Sequence, residues 1–209
     1  MASVSIPEFK VILCGEYGVG KTSLFRRYAT NTYIETIHMN PIESRNSTLG
    51  MDHMSKTFDV TGLKTIKIQL WDTGGLERVA SITNSYYKFA EAALLVFSLN
   101  SIESFHSLSQ HLLEILSLAE NAKIFLIGNK KDLTPHEVQD SDIELFLEQF
   151  PRLNGVYKMS CKTNEGVQEM FNDIAEKLAS INYKANFDAL RLHENESNQN
   201  EEKGCCSAK

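Results

Sequence analysis

The sequence predicts an α/β fold in which helices cover both faces of a six-stranded, mostly parallel sheet. Short apolar runs that suit buried strands alternate along the chain with helical patterns, which is typical of an open parallel sheet. Two of the runs are separated only by a short turn around Gly62, so they predict a hairpin and one antiparallel strand. A glycine-rich segment directly after the first run suits the sheet edge where ligands bind.

The individual elements follow from their patterns. Runs that are apolar throughout are typical of parallel strands buried on both faces, whereas the two hairpin runs alternate and suit half-exposed strands. The predicted strands are 9–14, 56–60, 64–70, 92–97, 123–127 and 156–159. Helices are predicted at 23–28, 105–119, 137–150 and 165–181. Asn164 is in position to cap the last of them.

Length and charge limit the possible functions. The 209 residues suit one domain, at 1–182, and a flexible tail, at 183–209, in which the segment 193–204 has no large apolar side chain. The net charge of −6 argues against a nucleic-acid partner. The chain contains neither a membrane-spanning run nor a signal-peptide pattern. We therefore expect a cytosolic protein whose four cysteines stay reduced.

Residues 15–22, Gly-Glu-Tyr-Gly-Val-Gly-Lys-Thr, match the phosphate-binding pattern G-x-x-x-x-G-K-[ST] between a predicted strand and a predicted helix. Glycines let backbone N–H groups approach phosphate oxygens, and the helix N-terminus attracts negative charge. We expect Lys21 to reach the β- and γ-phosphates and Thr22 to hold Mg²⁺. The predicted nucleotide-binding residues of this P-loop are Gly15, Glu16, Tyr17, Gly18, Val19, Gly20, Lys21, Thr22 and Ser23. Taken alone, the segment is also compatible with a glycine turn before an ordinary helix.

Two further segments suit the phosphate end of a nucleotide. Asp72 ends the second hairpin strand and can hold Mg²⁺ through water, while Gly75 can offer its N–H to a γ-phosphate. Thr48 can complete the Mg²⁺ shell only when a γ-phosphate is present, which would make it a sensor of the nucleotide state. In isolation, the segment 71–75 is equally a strand that ends in a turn.

Residues 129–132, Asn-Lys-Lys-Asp, suit the recognition of guanine. The Asp132 carboxylate can accept hydrogen bonds from guanine N1–H and N2–H₂, a donor pair that adenine lacks. Asn129 can brace the loop or the base edge, and the stem of Lys130 can cover the ring. The backbone N–H groups that could reach guanine O6 belong to Ser160, Cys161 and Lys162. Alone, 129–132 is equally a charged surface turn, and 160–162 is a weak signal.

In this order, the motifs resemble those of the Ras superfamily of small GTPases over roughly residues 8–182. Within it the chain is most similar to Rab proteins, because 48–52, 67–73 and 85–88 resemble T-I-G-V-D, K-L-Q-I-W-D-T and S-Y-Y-R. The resemblance implies a P-loop small GTPase fold, GTP and GDP as ligands, and Mg²⁺ as cofactor. It also implies effectors, an exchange factor, a GTPase-activating protein (GAP), a GDP dissociation inhibitor (GDI) and a prenylation escort protein. The residues it assigns to catalysis and to the guanine edge are Lys21, Thr48, Gly75 and Tyr33.

Leu76 stands where the family has the glutamine that orients the attacking water. Leucine neither donates nor accepts a hydrogen bond, so we expect intrinsic GTP hydrolysis to be very slow. The alternative is that Leu76 only packs and another group orients the water. GAPs of Rab proteins resemble enzymes that supply both an arginine and a glutamine, so assisted turnover stays open.

Other departures concern partners. Tyr17 stands where Ras proteins use glycine, and its ring either shields the γ-phosphate or is simply exposed. The interval between Thr22 and Thr48 is longer than the family usually has, either as a partner epitope or as a mobile loop. Phe89 stands where a glycine is usual. The effector surface, which in Rab proteins joins Phe, Trp and Tyr, consists here of His53, Trp71 and Tyr86.

Cys205 and Cys206 resemble the double geranylgeranylation signal of Rab proteins. One lipid chain anchors a protein only weakly without a basic patch, and 184–204 has three basic and five acidic residues. We therefore expect two lipids and a peripheral protein on the cytoplasmic face of an intracellular membrane, with a cytosolic pool.

These expectations combine into a Rab-like GTP-dependent switch that recruits effectors in vesicle trafficking. The alternative is a GTP-locked membrane scaffold with negligible turnover, which Leu76 favours. A P-loop ATPase or kinase is disfavoured because Asp132 selects guanine.

Overall fold

The computed structural model describes residues 6–34, 52–60, 62, 65–73 and 87–180. Six strands form one sheet in the order β2-β3-β1-β4-β5-β6. They are β1 (Glu8–Cys14), β2 (Asp52–Phe58), β3 (Ile66–Asp72), β4 (Ala92–Ser98), β5 (Lys123–Asn129) and β6 (Leu153–Lys158). Strand β2 runs antiparallel to β3, and every other neighbouring pair is parallel. The predicted sheet is confirmed.

The helices within the described ranges are α1 (Lys21–Thr30), α2 (Ile102–His106), α3 (Leu108–Leu118), α4 (Asp140–Gln149) and α5 (167–180). The helix predicted at 105–119 starts earlier, because Ser101 caps α2 by accepting the Ser104 N–H at 3.2 Å, and α3 begins only after Ser107. The predicted cap at Asn164 was wrong. The first bond of α5 runs from the Met170 N–H to the Gly166 carbonyl, 3.1 Å apart.

Two apolar clusters fill the space between sheet and helices. Alternate residues of β1 face opposite sides, so Val11 and Leu13 join one cluster and Ile12 and Cys14 join the other. The first cluster contains the apolar side chains of α1 and α5, and the second contains those of α2, α3 and α4. Helices therefore cover both faces, as the sequence predicts.

Strand β2 departs from its predicted form. It begins at Asp52, four residues before the predicted start, and most of its residues are exposed, whereas β3 alternates between buried and half-buried residues. Among the described strands, β2 is an edge strand that pairs with β3 alone, and it needs no apolar alternation. Its early start pairs His53 directly with Trp71.

The topology gathers the functional loops at one edge. Strands β1, β3, β4, β5 and β6 are parallel, so their carboxyl ends point the same way. Strand β1 lies between β3 and β4, where the strand order reverses, and such a switch point forms a binding crevice. Within the described ranges, no helix combines the length and apolarity needed to cross a bilayer.

Candidate functional site

The P-loop follows β1 and owes its shape to glycine. Gly15, Gly18 and Gly20 have φ values of 132°, 79° and 100°, in the region that side chains rarely adopt. A Cβ atom on Gly15 would lie 2.1 Å from the carbonyl oxygen of Val96, and one on Gly20 would lie 2.3 Å from Asn129 Nδ2. Glycine is therefore required at both positions for geometric reasons, and the loop backbone lies directly against its neighbours.

Lys21 begins α1 and is only 6% exposed. Its Nζ donates to the carbonyls of Gly15 and Glu16, at 2.7 and 2.9 Å, so the ammonium group lies beside the start of the loop. Thr22 and Ser23 follow in the first turn, both half-buried, while the Tyr17 ring is 50% exposed. Positive charge is thus concentrated at the helix N-terminus, where anions bind.

Asp72 ends β3 and is completely buried. The neighbouring Thr73 hydroxyl donates to the Leu13 carbonyl at 2.9 Å, which ties this strand end to β1 just before the P-loop. The Asp72 carboxylate and the Thr22 hydroxyl are hard oxygen donors, the type that Mg²⁺ prefers. The described residues therefore fit this ion in their chemistry.

Asn129 connects the P-loop to the loop after β6. Its Nδ2 donates to the Val19 carbonyl at 2.8 Å, and its Oδ1 accepts the Cys161 N–H at 3.1 Å. That N–H is one of the three predicted to reach guanine O6. In the same loop, the Ser160 hydroxyl donates to Asp132 Oδ1 at 2.5 Å. Burial lowers the pKa of Lys130, although the charge of Asp132 opposes the shift.

A cavity of about 340 Å³ opens between these loops. It is lined by Gly18, Gly20, Ser23, Tyr33, Asn129, Lys130, Asp132, Leu133, Cys161 and Lys162. The fold thus brings together the P-loop, the end of α1, and the loops after β5 and β6, which are far apart in the sequence. Leu133 is absent from the predicted set. Its place directly after Asp132 is the signal that could have revealed it.

A larger cavity, of about 750 Å³, lies between α1, β2 and α5. Its lining includes Tyr28, Lys56 and Phe171 but no residue of 15–20 or 129–132. The predicted nucleotide-binding residues therefore line the smaller of the two cavities.

Arg27 is a further site residue that the sequence analysis missed. It donates to the carbonyls of Cys161 and Lys162, at 2.6 and 2.8 Å, although these residues follow it by 134 and 135 positions. The sequence hardly distinguishes it from its neighbour Arg26. Only the helical spacing does, because Arg27 is half-buried beside the apolar stripe that includes Leu24 and Tyr28, whereas Arg26 is exposed.

The predicted effector surface is partly described. The His53 and Trp71 rings stack with their centroids 4.5 Å apart and their planes 15° from parallel. The Lys10 ammonium lies 5.0 Å from the Trp71 ring centroid and donates to the Lys88 carbonyl at 3.1 Å. The next residue, Phe89, is 79% exposed and has a left-handed φ of 64°, which explains why glycine suits this position.

Six predicted site residues lie outside the described residues. These are Thr48, Gly75, Leu76, Tyr86, Cys205 and Cys206. Their roles remain predictions from the sequence.

Comparison with known proteins agrees with the motifs. A sequence profile of the Ras family matches residues 10–180. Ras-related protein Rab-1D of Dictyostelium discoideum is 38% identical over 177 residues, which cover 83% of this chain and 82% of that protein. GTP-binding protein YPTM2 of Zea mays is 33% identical over 204 residues, 96% of both chains. Ras-related protein Rab-30 of Homo sapiens is 38% identical over 176 residues, 82% of this chain and 80% of the relative. The predicted resemblance is confirmed, and the chain belongs to the Ras family as a Rab-like small GTPase.

Proposed function

We propose that this protein is a GTP-dependent switch that recruits effectors to an intracellular membrane in vesicle trafficking. The observation that carries the proposal is the cavity in which Asp132 and Asn129 meet the P-loop glycines and Tyr33. This arrangement provides a carboxylate for the base, an aromatic edge for the ring, and backbone N–H groups for phosphates.

At the phosphate end, Lys21 would contact the β- and γ-phosphates, and Gly75 would offer its N–H to the γ-phosphate. Thr22, Thr48 and Asp72 would hold Mg²⁺, of which Thr48 joins only in the GTP state. When bound, this ion neutralises negative charge on the phosphate oxygens. Because Thr48 depends on the γ-phosphate, its segment would report which nucleotide is present.

At the base end, Asp132 would accept both donors on the guanine edge. The Ser160 hydroxyl already orients this carboxylate, so little ordering is required when the base binds. An adenine would leave the half-buried Asp132 carboxylate without its donors, which should lower the affinity strongly. The site should therefore discriminate against ATP.

The hydrolysis step sets the lifetime of the switch. Leu76 supplies no hydrogen bond to the attacking water, so the intrinsic rate should be low. We expect Leu76→Gln to raise single-turnover GTP hydrolysis by about 10-fold or more, since an oriented water reacts faster than a free one. Leu145→Gln, at an exposed position on α4 outside the pocket, serves as the control. A rate that Leu76→Gln leaves unchanged would contradict a slow timer set at this position.

The alternative proposal is a GTP-locked scaffold, and Leu76 is the feature that favours it. A GAP of the kind that supplies its own arginine and glutamine separates the two functions. If the protein is a switch, the GAP should accelerate hydrolysis of the bound GTP even with Leu76 in place. If it is a scaffold, the GTP should stay bound and unhydrolysed.

Membrane attachment would depend on Cys205 and Cys206. The acidic balance of 184–204 offers no basic patch, so two lipids must provide the binding energy. We expect the double variant Cys205→Ser, Cys206→Ser to be cytosolic in cell fractionation, with the neighbouring Ser207→Ala as the control that stays on membranes. Membrane binding retained by the double variant would exclude the lipid anchor.

A further inference from the structure

Arg27 binds three backbone carbonyls, and two of them belong to residues that line the candidate guanine pocket, Cys161 and Lys162. Nε donates to Cys161 O at 2.6 Å, Nη2 donates to Lys162 O at 2.8 Å, and Nη1 donates to Asn31 O at 2.9 Å. A guanidinium is a planar group with five fixed donors, so one side chain can hold three acceptors at once. Arg27 therefore joins the end of α1 to the loop that follows β6.

These bonds fix more than the carbonyls. A carbonyl and the next N–H share one rigid peptide plane. The bond to Cys161 O therefore also orients the Lys162 N–H, which belongs to the segment predicted to reach guanine O6. Asn129 accepts the preceding N–H, from Cys161, so the two side chains hold this turn from both sides.

The third bond reaches Asn31, which lines the larger cavity and precedes Tyr33 of the candidate guanine pocket by two residues. Asn31 ends α1 in a left-handed conformation, with φ of 55°, and its own N–H donates back to the Arg27 carbonyl at 3.1 Å. Two residues later, Tyr33 lines the cavity, and its ring centroid lies 5.8 Å from Arg27 Cζ. One guanidinium therefore contacts lining residues from two segments of the pocket, 161–162 and Tyr33.

We propose that Arg27 is a positioning residue that shapes the guanine pocket and thereby sets how long a guanine nucleotide stays bound. The inference rests on the proposed function, because it assumes that the cavity between these loops receives the base. Arg27 is not a catalytic residue in this account, since it acts through the backbone of 161–162 and of Asn31.

The test compares Arg27→Met and Arg27→Lys with Arg26→Met, an exposed arginine one residue away on the same helix. Release of GDP labelled on its ribose is followed after addition of excess unlabelled GDP with Mg²⁺ present. Arg27→Met should release the nucleotide at least about 10-fold faster than the wild type, because charge-assisted bonds to the pocket are lost. Arg27→Lys should fall between them, and Arg26→Met should match the wild type within about 2-fold.

Two further readouts distinguish positioning from general damage. The preference for GDP over 6-thio-GDP, in which a weak sulfur acceptor replaces O6, should shrink in Arg27→Met. The acceleration of release by EDTA should be the same factor in variant and wild type, because the phosphate end is untouched. An equal loss for both nucleotides would overturn the inference, as would wild-type release from Arg27→Met. If Arg27→Met does not fold, Arg27→Lys decides by the same criteria.

The outcome also separates this inference from the proposed function. A wild-type protein that binds GDP no better than ADP overturns both. A wild-type protein that prefers GDP, together with an unaffected Arg27→Met, overturns only the role of Arg27.

Discussion

The nucleotide edge of the sheet differs from the aromatic surface, which consists of His53 on β2, Trp71 on β3 and Phe89 shortly before β4. At the edge, Asn129 is 2% exposed and uses both amide atoms in hydrogen bonds, and Gly20 leaves no room for a Cβ atom. On the surface, Phe89 is 79% exposed and sits in a strained backbone. Folding itself therefore restricts the nucleotide edge, whereas the aromatic surface can change without damage to the core.

Three of the chain's departures from its family, at His53, Phe89 and Tyr17, fall on exposed side chains. His53 and Phe89 are exposed, so a substitution there alters chiefly the surface that a partner would meet. At the nucleotide edge, the side chain of Tyr17, which stands where Ras proteins use glycine, is 50% exposed. Exposed positions such as these can change without loss of the fold, and their substitution can alter which partner binds.

The largest expected effect tests the constrained region through Asp132→Asn. Asparagine keeps an oxygen for the Ser160 hydroxyl but replaces one acceptor with a donor, so GTP affinity should fall by about 10⁴-fold. Xanthosine triphosphate, whose C2 carries an oxygen, should gain affinity. Competition binding with the two nucleotides measures both changes, and the exposed Glu148→Gln on α4 is the control. Equal GTP binding by both variants would contradict base recognition by Asp132.

A second prediction concerns the burial of the Cys161 thiol at the nucleotide edge. Burial raises the pKa of this thiol to about 12, even though the Arg27 guanidinium favours the thiolate. Because a raised pKa keeps the thiol protonated, the reactive thiolate should be roughly 10³-fold scarcer at pH 8 than for an ordinary cysteine and should increase only as the pH approaches 12.

The Cys205→Ser, Cys206→Ser variant leaves only Cys14 and Cys161, both buried, as thiols. We expect no rapid reaction with a thiol reagent at pH 8 in the folded state, and two reactive thiols per chain after denaturation. Rapid labelling of the folded protein would contradict the burial of these two thiols.

A third, smaller effect compares two glycines of the P-loop. Gly15→Ala must displace the backbone around Val96 and should lower the free energy of unfolding by about 3 kcal/mol or more. Gly18→Ala meets no atom within 4 Å and should cost only the 1–2 kcal/mol of a left-handed alanine. Urea denaturation measures both values, and equal losses would show that contact with Val96 is unimportant.

The smallest effect concerns the unconstrained surface. Phe89→Gly relieves the left-handed conformation but makes the unfolded chain more flexible, for a net gain of about 0.5 kcal/mol and a rise in Tm of roughly 1–2 °C. Leu113→Ala, at an exposed position on α3, should leave Tm nearly unchanged. A loss of stability in Phe89→Gly would mean that its ring makes contacts that belong to the fold.

The sequence predicted the sheet and its helices well because apolar runs and helical stripes directly reflect burial. It was wrong where a capping side chain or the edge position of a strand determines where an element begins. Strand β2 carries no apolar alternation because it is an edge strand, and the start of α2 depends on the Ser101 cap. Asn164 does not cap α5 because Gly166, with a left-handed φ of 74°, occupies the position directly before the helix.

For the candidate site, contiguous motifs identified the loops, but not the side chains that join them. Arg27 meets its acceptors 134 and 135 positions later, and no local pattern records such a contact. The same holds for Lys10, which connects Trp71 to the backbone of Lys88. Long-range polar contacts of this kind arise only once the sheet has brought the segments together.

The central claim is that the loops after β1, β5 and β6 form one pocket for a guanine nucleotide. Calorimetric titration of the nucleotide-stripped protein with GTP and with ATP, both with Mg²⁺, tests it most directly. We predict a dissociation constant for GTP well below micromolar and an ATP affinity at least about 10⁴-fold weaker. Equal affinities, or no binding of GTP at micromolar concentration, would contradict the account.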